Sequence, residues 1–129
     1  MNDQITLTGI VATTPRHIVT AEGLDITSFR LASVHSHYDR TTQLWVDDDT
    51  NWYTITAFRQ LAANSYDSIT KGDHVVLSGR LQIRDWETDD KHGTSIDITA
   101  HTLGHDLSYG TTTYNRNRRP RPDTNENSN

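Results

Sequence analysis

A period of two restricts the fold more than any other feature of this sequence. In Ile5-Thr6-Leu7-Thr8-Gly9-Ile10-Val11, apolar and hydroxyl residues alternate, and a glycine interrupts them mid-strand. Successive side chains of a strand point to opposite faces, so such a pattern buries one face and wets the other. The glycine predicts a bulge or a sharp bend, as where a small barrel turns a corner. Further strands are predicted from Leu24 to His35, Trp52 to Phe58, His74 to Arg84 and Ser95 to His101.

One helix interrupts them. Between Arg59 and Ile69, the residues Leu61, Ala62, Tyr66 and Ile69 recur at helical spacing, and Gly72 is a plausible C-terminal stop. The stretches Asp39 to Asn51 and Asp85 to Thr94 are polar and without periodicity, so both are expected to be long exposed loops. The fold class is therefore all-β, a five-stranded barrel with one helix between its third and fourth strands. That order is the OB-fold arrangement. From Gly110 onward the chain is Thr, Asn, Arg and Pro with almost nothing apolar, too little to offset the entropy of ordering. One domain over residues 1–109 and a disordered tail over 110–129 are expected.

Composition closes off several classes. No run of about 18 apolar residues is present to span a membrane, and the N-terminus lacks the regions of a signal peptide. A cytoplasmic, nucleoid-associated location is expected. With no cysteine, thiolate metal sites and cysteine nucleophiles are excluded. Residues 1–109 hold 8 Lys and Arg against 15 Asp and Glu, a net of -7. Bulk electrostatics therefore opposes a nucleic-acid partner, so what matters is the placement of charges on one face.

Two strands carry the functional pattern. From Trp52 to Phe58, Tyr53, Ile55 and Ala57 share one side, while Trp52, Thr54, Thr56 and Phe58 share the other. The first set is expected in the core. The second places two large aromatics beside two hydroxyls, apt for stacking bases, although a buried core or interface strand would also account for it. In the next strand Val75, Leu77, Leu81 and Ile83 form the apolar side, opposite Arg80, Gln82, Arg84 and Trp86. Rings stack on any base and guanidinium groups pair with phosphate. A merely solvated strand face explains the arginines but not an exposed Trp86.

Several segments together resemble the bacterial single-stranded DNA-binding protein family. They are Asn51 to Ala62, Thr70 to Leu81, Trp86-Glu87-Thr88, and Phe29-Arg30-Leu31-Ala32-Ser33 followed by Tyr38-Asp39-Arg40. The similarity spans roughly residues 5 to 110 in order and is closest to actinobacterial members, while the departures in the tail and in the placement of acidic charge imply a divergent paralogue or a mobile-element version. It implies a non-catalytic homotetramer of OB-folds that binds and protects single-stranded DNA in replication, recombination or repair. It implies stacking by Trp52, Phe58, Trp86 and Tyr38, and phosphate contacts from Arg16, Arg40, Arg59, Arg80 and Arg84; Thr54 joins them from the wetted strand face. Trp45 has no clear family counterpart and is either an extra stacking residue or a loop anchor. Family members usually end in an acidic tip closing with Pro-Phe, whereas this chain ends Asp123 to Asn129 behind Arg116, Arg118, Arg119 and Arg121. That departure puts the recruitment of replication or repair proteins in question.

Two other classes compete. His35-Ser36-His37 with Asp39 offers an H-x-H pair but no third histidine at ligand spacing, so a solvated edge is expected there and no metal or other cofactor. A metal-dependent nuclease would need clustered carboxylates and an arginine; Asp47-Asp48-Asp49 could supply the carboxylates, but such a run in an exposed loop is usually only solvated charge. The remaining alternative is an OB-fold protein-interaction module with weak or lost DNA binding, which the acidic domain would suit and the three tryptophans would not.

Overall fold

The computed structural model describes residues 3–117. Its elements run β1 (Asp3–Val11), β2 (Arg16–Val19), β3 (Asp25–Asp39), β4 (Leu44–Phe58), α1 (Arg59–Ser68), β5 (His74–Glu87) and β6 (His92–His105). Hydrogen bonding orders the strands β1-β5-β6-β4-β3-β2, and β3 also pairs with β1. Five long strands thus close a ring, with β2 added along the outside edge of β3. Every pairing is antiparallel except that of β4 with β6. The helix sits between β4 and β5, as the order of elements predicts.

The inward residues are those the period of two selects. Val11, Phe29, Leu31, Ile55, Ile69, Val75, Leu77, Ile98 and Ala100 form one buried cluster, with Tyr53, Leu61 and Leu81 packed against it. Burying each large aliphatic contributes about 1.5–3 kcal/mol. The helix closes one end of the ring through Ala62 and Ser65, with Ile69 buried just after it. Thr27 Oγ1 donates to the Ala62 carbonyl at 2.8 Å, tying helix to β3. Tyr66, expected on the apolar side, is instead half exposed and stacks on the His17 ring. The helix ends at Ser68, four residues before Gly72, because Ile69 already has extended backbone.

Gly9 marks a corner. Gly9 still pairs with Val75 of β5, Ile10 pairs with both His74 of β5 and Ala32 of β3, and a Cβ on Gly9 would lie 2.7 Å from the Ala32 carbonyl oxygen. The predicted bend is a close backbone approach that only glycine fits.

Both predicted long loops prove to be strand. Residues 44–51 belong to β4 and pair with the end of β3, leaving only a turn over residues 40–43. Likewise β5 runs to Glu87 and β6 starts at His92, and the turn between them is closed by the Thr88 N–H to the Lys91 carbonyl. The two strands of a ribbon satisfy each other's backbone groups, so neither needs an apolar face. For the same reason Ile83 is 61% exposed, although Leu81 packs on the core. Past Leu81, β5 has left β1 and pairs with β6 alone. Among the described residues no helix is long and apolar enough to cross a membrane.

Residues 106–117 have no helix or strand, and Asn64 Nδ2 donates to Asn117 Oδ1 at 2.7 Å. The remainder of the predicted tail lies outside the described residues.

Candidate nucleic-acid interface

Residues directly opposite in a strand pair point to the same face, so the register writes out what the outside of the ring presents. One row reads Arg16, Ser28, Thr56, Thr99, Arg80 across β2, β3, β4, β6 and β5. The next reads Arg30, Thr54, Asp97, Gln82. On one side of these lies the row Ile18, Ile26, Phe58. On the other lie the pairs Ala32 with Trp52, Ser95 with Arg84, and Gly93 with Trp86. The residues alternating with them, Thr27, Phe29, Leu31, Ile55, Ala57 and Ile98, are all buried, so the rows form the outer surface.

The aromatics on this surface are held but not covered. Trp52 is 49% exposed, and the Arg30 guanidinium lies 5.6 Å from its ring centroid. That is the geometry of a cation–π contact. Trp86 is 44% exposed and its indole rests on Gly93, where an added Cβ would come within 2.5 Å of Trp86 Cζ2. The glycine is therefore a seat for the ring. Phe58, half-buried, ends β4 at the helix start. Tyr38 is off the ring, on the β3–β4 ribbon, with its ring edge-on to Trp45 at 5.7 Å.

The basic residues divide into two groups. Arg16 and Arg80 terminate the long row, both exposed. Arg84 Nε donates to Asp97 Oδ2 at 2.5 Å, which fixes the guanidinium while leaving its other N–H groups to point elsewhere. Arg59 opens α1 with a positive φ of 61° and lines a shallow depression with Glu22, Leu24 and Asp25, outside the rows. Arg40 lies in the turn at the far end of the ribbon. The structure thus gathers Trp52, Thr54, Phe58, Arg80, Arg84, Trp86 and Arg16 on one surface. It sets Tyr38 and Arg40 on the ribbon, and Arg59 beside the helix start.

The acidic balance is a property of other surfaces. The rows carry Arg16, Arg30, Arg80 and Arg84 against Asp97. Elsewhere Asp25 bonds His17, Asp85 accepts from Thr94 Oγ1, and Asp73 accepts from Thr70 and faces His105 at 3.0 Å. Burial raises the Asp73 carboxyl, but the Thr70 N–H, His105 and the Thr70 hydroxyl outweigh it and hold the group below its ordinary value. A cleft of 750 Å³ between α1 and residues 111–117 includes none of the row residues. The candidate interface is an open surface rather than a pocket, as a polymer ligand that passes across it requires.

The H-x-H pair joins no such site. His35 Nε2 is 3.2 Å from Asn51 Nδ2, and among the described residues no three His, Asp or Glu groups are placed to hold a metal ion. Sequence reasoning missed Arg30, Asp97 and Gly93. Arg30 was within reach, because Phe29 and Leu31 alternate around it. The Arg84–Asp97 and Trp86–Gly93 pairs depend on strand register and left no local trace.

Residues 2–106 match the single-strand binding protein family. A single-stranded DNA-binding protein 2 of Tropheryma whipplei is 45% identical over 97% of this chain and 82% of its own length. Single-stranded DNA-binding protein 1 of Streptomyces coelicolor is 41% identical, over 97% of this chain and 85% of its own. The crystal structure of a small single-stranded DNA-binding protein from Streptomyces coelicolor superposes with a TM-score of 0.78 at 41% identity. It covers 84% of this chain and 98% of that one. The closed ring with its inserted helix is accordingly an OB-fold. By the matched family, by these relatives and by the shared ring, the chain belongs to the single-strand binding protein family.

Proposed function

We propose that this protein binds single-stranded DNA without regard to sequence and without catalysis, across the outer rows of β3, β4, β6 and β5. One observation carries the reading. The register sets Trp52, Trp86 and Phe58 on the same open surface as Arg16, Arg30, Arg80 and Arg84. Every base has a π-face, so stacking tolerates sequence, while guanidinium groups hold the backbone. Tyr38 and Arg40 extend this surface along the ribbon, and Arg59 lies at its margin. Residues 1–109 are the binding unit and residues 110–129 the tail. The protein works as a homotetramer, a reading supported by the exposed apolar side chains of Val19, Val76 and Leu107, which lie outside the rows. Its role is protection of exposed strands in replication, recombination or repair.

The test is a titration with poly-dT at low and high salt, followed by tryptophan fluorescence, beside light scattering of the free protein. Deep quenching at stoichiometric ratios and a mass about four times 14.6 kDa are expected. Unquenched fluorescence would select the inert interaction module, and Mg²⁺-dependent cleavage of labelled strands would select the nuclease.

A further inference from the structure

Beyond Val34 and Thr50, β3 and β4 pair only with each other and form an arm that leaves the ring. An aromatic side chain on such an arm has no core to enter. Tyr38 is 47% exposed and Trp45 71% exposed, yet their rings meet as direct cross-strand partners, edge-on at 67°. At that exposure most of the Trp45 indole stays open to solvent.

The arm contains a device that aims this ring. Counting back from Trp52 by twos gives residues 50, 48, 46 and 44, so in an unbroken strand Trp45 would face away from Trp52. The pairing passes from Val34–Thr50 to Ser36–Asp47, two residues along β3 but three along β4. That extra residue is a bulge, and a bulge re-aims whatever follows it. On β3 the alternation runs unbroken through Arg30, Ala32, Val34, Ser36 and Tyr38. Trp45 therefore returns to the face that carries Trp52 and Arg30. Tyr38 lies six residues beyond Ala32, the partner of Trp52, or roughly 20 Å along the strand.

We infer that Trp45 is a further base-stacking residue, held against Tyr38, which carries the same DNA strand off the ring and onto the arm. The inference rests on the proposed function above. The occupant is argued from continuity: the arm face continues the surface of Trp52 without a change of side. The arm sequence holds four aspartates against Arg40, so apart from Arg40 in its turn it offers the DNA strand a ring surface rather than phosphate contacts. The contribution of Trp45 is then nearly independent of salt, because no counterions are released by stacking. The competing account is that Trp45 only braces the arm.

Full-length protein, Trp45→Ala, Trp45→Phe and Trp52→Ala are titrated with oligo-dT of two lengths, roughly 4 and roughly 16 nucleotides, the span seen for one OB-fold. Trp45→Ala is expected to weaken binding of the longer strand roughly five- to hundredfold, by the same factor at low and high salt. It is expected to leave the shorter strand unaffected, and Trp45→Phe to retain most of the affinity. Oligo-dT substituted with 5-iodouracil is expected to photo-crosslink to Trp45. Unchanged affinity for the longer strand, an equal loss at both lengths, or no crosslink at Trp45 would overturn the inference. Those results with a clear Trp52→Ala loss leave the proposed function standing, whereas a wild type that binds neither strand refutes that function itself.

Discussion

Replacing Trp52 with alanine separates binding from folding. The ring is half exposed, lies outside the buried cluster, and touches the Arg30 guanidinium at 5.6 Å. Losing one base stack costs about 1–3 kcal/mol of binding, roughly five- to 150-fold in affinity. The cation–π contact, worth about 0.5–1 kcal/mol at an exposed site, holds the ring in place before DNA arrives, so Arg30 and Trp52 act on binding together. Trp52→Ala and Arg30→Ala should therefore each weaken binding, and the double variant should lose less than the sum by about that amount. Ile55, the next residue but two on the strand and fully buried, supplies the control. Ile55→Ala should cost about 2–5 kcal/mol of stability, while Trp52→Ala should lower the melting temperature by only a fraction of that shift. Fluorescence anisotropy with labelled oligo-dT measures the first effect and thermal unfolding the second. Wild-type affinity in Trp52→Ala, or a loss of stability matching Ile55→Ala, would refute the placement of this ring at the binding surface.

Gly93→Ala should push the Trp86 indole off its seat and weaken oligo-dT binding by about 1 kcal/mol or more, with far-UV circular dichroism unchanged; equal affinity would mean that Trp86 makes no stack. Asp73 is held below its ordinary value of 3.8, so its contribution to stability is complete above about pH 4 and is lost as pH falls through the depressed folded value. Asp73→Asn should then flatten the acid limb of a stability–pH profile, and an unaltered limb would count against that assignment. Replacing Arg118, Arg119 and Arg121 by glutamine should flatten the salt dependence of poly-dT binding, by up to about 0.7 in slope per lost phosphate contact. Equal slopes between about 50 and 200 mM salt would show that these charges do not reach the DNA.

The order of the five long strands and the helix, and the alternation within the two central strands, were legible in the sequence because they depend on local periodicity; the short β2 was not predicted. Once that segment was a strand, Ile55 and Ala57 had to share one side and Trp52 the other, whatever it paired with; that the Trp52 side stays open was decided by the structure. The glycine in β1 likewise marked a special position, which proves to be a close backbone approach, since a Cβ there has no room beside the Ala32 carbonyl. The extent of β4 and β5 was not legible. Asp47 to Asn51 and Asp85 to Glu87 look like loops because they are polar, yet they are strands because a partner strand accepts their backbone hydrogen bonds. The same holds for the surface itself. Arg30 beneath Trp52, Asp97 beside Arg84, Gly93 under Trp86 and Trp45 returned to the Trp52 side by a bulge all follow from register across strands distant in sequence. Register is set by pairing and closure of the whole ring, so only the tertiary structure could decide which residues stand next to the stacking rings.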